Sequence, residues 1–244
     1  MQVFGLTDKG IVRRDNQDHF QIATAADGAV TICVVCDGMG GAKAGNVASE
    51  LAAETFTKTL TQQPMSLLDD TQVEAALCDA MMAANRVVYD AANEQLDYKG
   101  MGTTLVGAVL RADFAYFANV GDSRAYQIRD GEITQITRDH SLVEDMVMRG
   151  DITRDEAMVH PNRNLITRVV GTETTVSCDL FKLALEPGDQ LLFCSDGLTN
   201  LVSSESILLE LTNNKAIESA TEMLVTQALA KGGTDNITVL VVRV

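Results

Sequence analysis

Proline is scarce in this sequence: Pro64, Pro161 and Pro187 are the only three in 244 residues. No Pro/Ser-rich linker, low-complexity tract or internal repeat is present, so nothing marks a domain boundary and one domain over 1–244 is expected. No apolar run approaches the length of a membrane helix. The first fifteen residues hold Arg13 and Arg14 with no apolar segment after them, which is not a secretory signal; a cytoplasmic protein is expected. Basic residues are few, 19 Lys and Arg against 34 Asp and Glu, and the net charge of −15 argues against a nucleic-acid groove or an anionic membrane surface as partner. The five cysteines make no disulfide framework. Cys33 and Cys36 do have C-x-x-C spacing, but within the apolar run Val30–Cys36 they fall on opposite faces of a strand and read as small buried hydrophobes.

What is abundant is apolar sequence in short runs. Hydrophobic residues make up 46% and charged residues 22%, which fits a packed globule. Val30–Cys36, Thr104–Leu110, Phe114–Val120, Ala125–Ile128, Gln190–Cys194 and Ile237–Val242 predict strands by length and β-branched content, with another over His19–Thr24. The second and third of these runs predict a hairpin, and the Asp130-Gly131 turn signals another. Apolar stripes at helical spacing predict helices over 45–60 and 71–96, the second with Val73, Leu77, Ala84, Val87 and Val88 on its buried face. Shorter helices are expected at 204–211 and 216–230. Hairpins with helices arriving in separate blocks give an α+β protein, its antiparallel sheets covered by helices.

The aspartates fall at the tips of these strands. Asp37 follows one directly; Asp122 and Asp196 each come one residue beyond another; Asp18 and Asp235 stand just before two more. In antiparallel sheets one strand begins beside its neighbour's end, so all five can gather on one edge. Carboxylates brought together resist ionising unless a cation joins them, and an all-oxygen set suits Mg2+ or Mn2+ rather than zinc. Any one Asp could simply begin a turn. Four of the five, however, sit in Gly-containing corners: Asp37-Gly38-Met39-Gly40-Gly41, Gly121-Asp122-Ser123-Arg124, Ser195-Asp196-Gly197 and Gly233-Thr234-Asp235-Asn236.

Together with Arg13-Arg14-Asp15-Asn16-Gln17-Asp18 and Gly102-Thr103-Thr104, these corners resemble, in order, the motifs of the type 2C metal-dependent protein phosphatases in their bacterial form. The likeness runs from about Gly5 to Val242. It implies a four-layer α-β-β-α sandwich of two antiparallel sheets flanked by helices, with two Mn2+ or Mg2+ ions in a cleft at one end. By motif, Asp37 bridges both ions, the Gly38 carbonyl ligates one, and Asp196 and Asp235 complete the other. By the same resemblance Asp18 would orient metal-bound water, Arg13 would bind phosphate, and Asp122 with Asp196 would mark the place of a weaker third ion. The implied activity is hydrolysis of phosphoserine and phosphothreonine by a metal-bridging hydroxide without a covalent intermediate. The implied partners are phosphorylated proteins, among them a Ser/Thr kinase and its targets, and a monomer is expected.

Two positions depart from many eukaryotic members: Gln17 stands where they carry a Glu ligand, and Met39 where they carry a His assigned as general acid. His160, in a polar segment at about 148–168 matching the family's flap, is a candidate acid in its place. The run 38–45 fits neither nucleotide-loop pattern, because Ala44 follows Lys43 and the third Rossmann glycine is absent. Two other readings compete. A phosphopeptide-binding module without turnover should lack metal ligands, and a nuclease using the same carboxylates should carry a basic track.

Overall fold

Strand β3 (Thr31–Met39) shows why the apolar runs become strands: its side chains alternate between two separate cores. Ile32, Val34 and Cys36 pack towards helices, while Cys33 and Val35 pack towards a second sheet. In the computed structural model, residues 26 and 27 and the side chains of 41–43 are not described; all other residues are. The strands before β3 are β1 (Gln2–Asp8) and β2 (Asp18–Thr24). After it come α1 (Gly41–Thr61), α2 (Asp70–Glu94), β4 (Gly102–Thr103), β5 (Leu105–Leu110), β6 (Phe114–Val120), β7 (Arg124–Arg129) and β8 (Glu132–Gln135). The chain continues through α3 (Leu142–Arg149), α4 (Arg154–Met158), β9 (Asp179–Ala184) and β10 (Gln190–Cys194). It closes with α5 (Asp196–Thr199), α6 (Ser204–Asn213), α7 (Ile217–Ala230) and β11 (Ile237–Arg243).

Two antiparallel sheets result, ordered β1-β11-β10-β7-β8 and β2-β3-β5-β6-β9, with β4 paired to β3. Between them lies a core of Val35, Phe117, Leu191, Phe193 and Leu240. Phe117 and Phe193 stack across it at 5.7 Å between ring centroids. The outer face of the second sheet carries α1 and α2, and that of the first carries α6 and α7. The layers are therefore α-β-β-α, as the resemblance implies.

The predicted hairpin pairs β5 with β6, from Leu105↔Val120 to Leu110↔Ala115. Between β7 and β8, Asp130 and Gly131 both take positive φ, 53° and 79°, the signature of a tight two-residue hairpin turn. Helix α2 begins with a capping box between Asp69 and Gln72 and ends at Glu94, two residues short of the expected limit. Val87 is 38% exposed and leaves the predicted stripe, whose place Asn85 takes as a buried polar residue. β8 completes the hairpin that the Asp130-Gly131 turn signals; strands β1, β4 and β9 and helices α3, α4 and α5 were not expected. Within β1, Gly5 makes room for the Phe20 ring; a Cβ there would stand 2.4 Å from that ring.

Candidate active site

Asp37 does not follow β3 but lies within it, since pairing with β4 carries the strand on to Met39. Its backbone is held on both sides. The Asp37 N–H donates to Thr104 Oγ1 at 2.9 Å, and the Asp37 carbonyl accepts from Thr103 Oγ1 and from the Thr104 N–H, both at 2.9 Å. Gly38 is forced by packing: a Cβ there would lie 2.0 Å from the Gly45 carbonyl oxygen. Asp18 opens β2 directly opposite Asp37 in the ladder.

Asp18 is buried and reaches into the other sheet. Its Oδ2 accepts from Ser195 Oγ and Thr238 Oγ1, each at 2.7 Å. Ser195 Oγ also accepts from the Thr238 N–H at 3.0 Å. Asp196 then starts α5, where Asn200 Nδ2 donates to its Oδ2 at 2.9 Å. Asp235 Oδ2 accepts from Arg13 Nη2 at 2.7 Å, and its Oδ1 accepts from the Asn236 N–H. Asn236 in turn fixes the loop that carries Arg13. It donates to the carbonyls of Lys9 and Asp15, and its Oδ1 accepts from the Gln17 N–H. Asp122 follows Gly121, whose φ of 106° and N–H bond to His140 Nδ1 set the corner.

Asp37, Gly38, Asp122, Asp196 and Asp235 all line one cleft of about 500 Å3, with Arg13 at its side. Asp18 lies beneath its floor, next to Asp37. Among the described residues, no three His, Cys, Asp or Glu side chains stand close enough to ligate one ion unaided. The site is an open group of carboxylates rather than a closed cage. Its electrostatics record the crowding. Burial first, then the charges of Asp18, Asp196, Asp122 and Asp235, lift the Asp37 carboxyl well above the usual range. Burial likewise pushes Asp18 up to about 7, against the two hydroxyl bonds that favour its ionised form. Asp122 rises to about 7 through burial and the Asp196 charge, and Asp196 is raised by burial and Asp235.

Three buried oxygens, Asp18 Oδ1, Asp122 Oδ1 and Asp196 Oδ1, have no hydrogen-bond partner among the described residues. A buried carboxylate oxygen without a partner is costly. Hard divalent cations are the group that answers crowded anionic oxygens of this kind, so the residues fit Mn2+ or Mg2+.

Of the residues singled out in the sequence, Asp18 and His160 line neither this cleft nor its neighbour; Asp18 adjoins it through Asp37, whereas His160 does not. Its Nδ1 accepts from the Asn162 N–H at 3.1 Å. The segment 159–170 instead brings Asn164 and Ile166 to the cleft. A second cleft, of about 610 Å3, meets the first at Asp122, Asn164 and Asp196 and runs on past Arg124, Arg154 and Arg163. The supporting roles of Ser195, Thr238 and Asn236 were not foreseen, whereas His140 is structural, as expected. The only signal available for these three was that each adjoins a motif aspartate or strand tip.

Comparison with known proteins agrees with this architecture. The family model described as protein phosphatase 2C matches residues 12–232. The serine/threonine phosphatase stp of Listeria monocytogenes is 37% identical over 236 residues, covering 97% of this chain and 93% of that protein. The crystal structure of the serine/threonine phosphatase Stp1 from Staphylococcus aureus superposes with a TM-score of 0.94 at 39% identity, over 100% of this chain and 94% of that one. The catalytic domain of the phosphatase PstP, solved with two manganese ions, gives 0.84 at 34% identity over 98% and 96% of the two chains. Fold, motif order and the carboxylate cleft meet in one conclusion: this chain belongs to the protein phosphatase 2C family.

Proposed function

We propose that the chain is a metal-dependent protein phosphatase that hydrolyses phosphoserine and phosphothreonine in proteins. One observation carries the reading: four aspartates from separate parts of the chain, Asp37, Asp122, Asp196 and Asp235, line one cleft with Arg13 beside them. Asp37, Asp196, Asp235 and the Gly38 carbonyl would hold two Mn2+ or Mg2+ ions, with Asp122 and Asp196 offering a third place. Bound there, such ions supply an acidified water as nucleophile and positive charge for the phosphoryl oxygens.

The chain's own groups do the rest. With Oδ2 saturated by Ser195 and Thr238, Asp18 has only Oδ1 left to accept from a water beside Asp37. The Arg13 guanidinium, now on Asp235, can take two phosphate oxygens as a planar fork. For the leaving-group proton we assign His160, which would donate it as an imidazolium, a form in which Nδ1 carries a proton and gives up the bond from the Asn162 N–H. That role requires the segment 159–170 to carry His160 inward. The adjoining cleft offers room for the polypeptide on either side of the phosphorylated residue.

The same reading includes a monomeric cytoplasmic enzyme that opposes a Ser/Thr kinase. No helix among the described residues is long and apolar enough to cross a membrane. Turnover of a phosphothreonine peptide in Mn2+ and its loss in EDTA are the expected outcomes. Hydrolysis that continues undiminished in EDTA would overturn the proposal.

A further inference from the structure

Two cysteines outside the cleft meet across the fold. Cys78 lies on α2 and Cys178 just before β9, and their sulfurs are 3.7 Å apart although 100 residues separate them. We propose that Cys78 and Cys178 form a redox pair, which a hydroperoxide closes to a disulfide and a dithiol reopens.

The contact is held by a frame independent of the sulfurs. Further along α2, Asn85 Oδ1 accepts from the Gly171 N–H at 2.7 Å, and Asn85 Nδ2 donates to the Glu173 carbonyl at 2.9 Å. Val88 packs on Gly171 so closely that a Cβ there would lie 2.1 Å from its methyl. The segment leaving the flap region is thus strapped to α2 at Gly171 and Glu173 and meets it again at Cys178. Reaching a disulfide's length of about 2.05 Å moves the sulfurs together by less than about 2 Å, within the range of side-chain rotation.

Access separates this pair from the other thiols. Cys78 and Cys178 are both partly exposed, whereas Cys33, Cys36 and Cys194 are fully buried. Burial, then the neighbouring Cys78, pushes the Cys178 thiol up to about 12, which keeps Cys178 protonated near neutral pH. The Cys78 thiolate attacks the peroxide O–O bond; sulfur loses two electrons and becomes sulfenic acid while hydroxide departs. Cys178 then gives up its proton and attacks Cys78 Sγ, the S–S bond forms, and the sulfenic oxygen leaves as water. Two thiols and one hydrogen peroxide become one disulfide and two waters.

Such a bond ties the chain returning from the flap to α2 and cross-links a long span, which restricts the unfolded state. The test is peptide mapping of the whole protein after hydrogen peroxide treatment and alkylation, followed by thermal melting. The expected result is a Cys78–Cys178 linked peptide, two hydrogen atoms lighter than its reduced parts. A Tm rise of roughly 5 °C or more should accompany it, reverse with dithiothreitol and be absent from Cys78→Ser. Sulfinic acid at Cys78, a link between two chains, or a linked peptide with no rise in Tm would each overturn the proposal.

Discussion

Asp18 and Asp37 stand directly opposite each other where β2 pairs with β3. Like charges so placed destabilise a sheet, and this pair is tolerated because Ser195 and Thr238, from the other sheet, donate to Asp18. The two hydroxyls therefore act as a clasp between sheets. Ser195→Ala and Thr238→Val should each destabilise the fold by about 1–3 kcal/mol, since each leaves a buried carboxylate oxygen short of a donor. Urea unfolding measures this, and two neutral variants would show that the clasp carries nothing.

Acidity has a definite sign in the metal-free protein. Asp18 and Asp122 titrate at about 7 when folded, and Asp37 higher than usual. In an unfolded chain such groups titrate near ~4. Between those values the folded state binds more protons, so its stabilisation is full below about 4 and is lost as pH rises through about 7. In EDTA the Tm should fall from about pH 5 to about pH 8, and Asp18→Asn should flatten the slope. With Mn2+ present the slope should reverse, because deprotonated carboxylates bind the ion. Scanning calorimetry in both conditions checks this; an EDTA profile that climbs with pH contradicts it.

Arg13 is bonded to Asp235 rather than free in the cleft. Arg13→Ala should raise KM for phosphopeptide and lower kcat/KM by roughly 10–100-fold, with a smaller loss in kcat. Steady-state kinetics with one phosphothreonine peptide decides it, and an unchanged KM reassigns the residue to holding Asp235.

How much of this was legible in the sequence depended on range. β3, β5, β6, β10 and β11 are continuous apolar runs, because both faces of each are covered, and such runs show without context. β8 and β9 are short or partly exposed and carry no comparable signal. Asp37 looked like a strand terminus because Gly38 and Gly40 read as a turn, whereas pairing with Gly102–Thr103 keeps that stretch extended. The aspartates were found through their positions at strand tips. What holds them was not, since Ser195 and Thr238 reach Asp18 from 177 and 220 residues away.

The acid can be isolated by choice of leaving group. A p-nitrophenolate departs without a proton, whereas the alkoxide of serine needs one. His160→Gln should slow phosphoserine peptide turnover by about 10²-fold or more while sparing p-nitrophenyl phosphate. Equal rates for both substrates in wild type and variant would remove His160 from the chemistry.

The central claim is that Asp37 and its neighbours form one cation site, and titration calorimetry with Mn2+ on the metal-free protein tests it most directly. The account predicts at least two ions bound per chain with proton release near neutral pH, and a lower stoichiometry for Asp37→Asn, whose turnover should fall on the order of a thousandfold. Undiminished Mn2+ binding by Asp37→Asn, or none by the wild type, would contradict it.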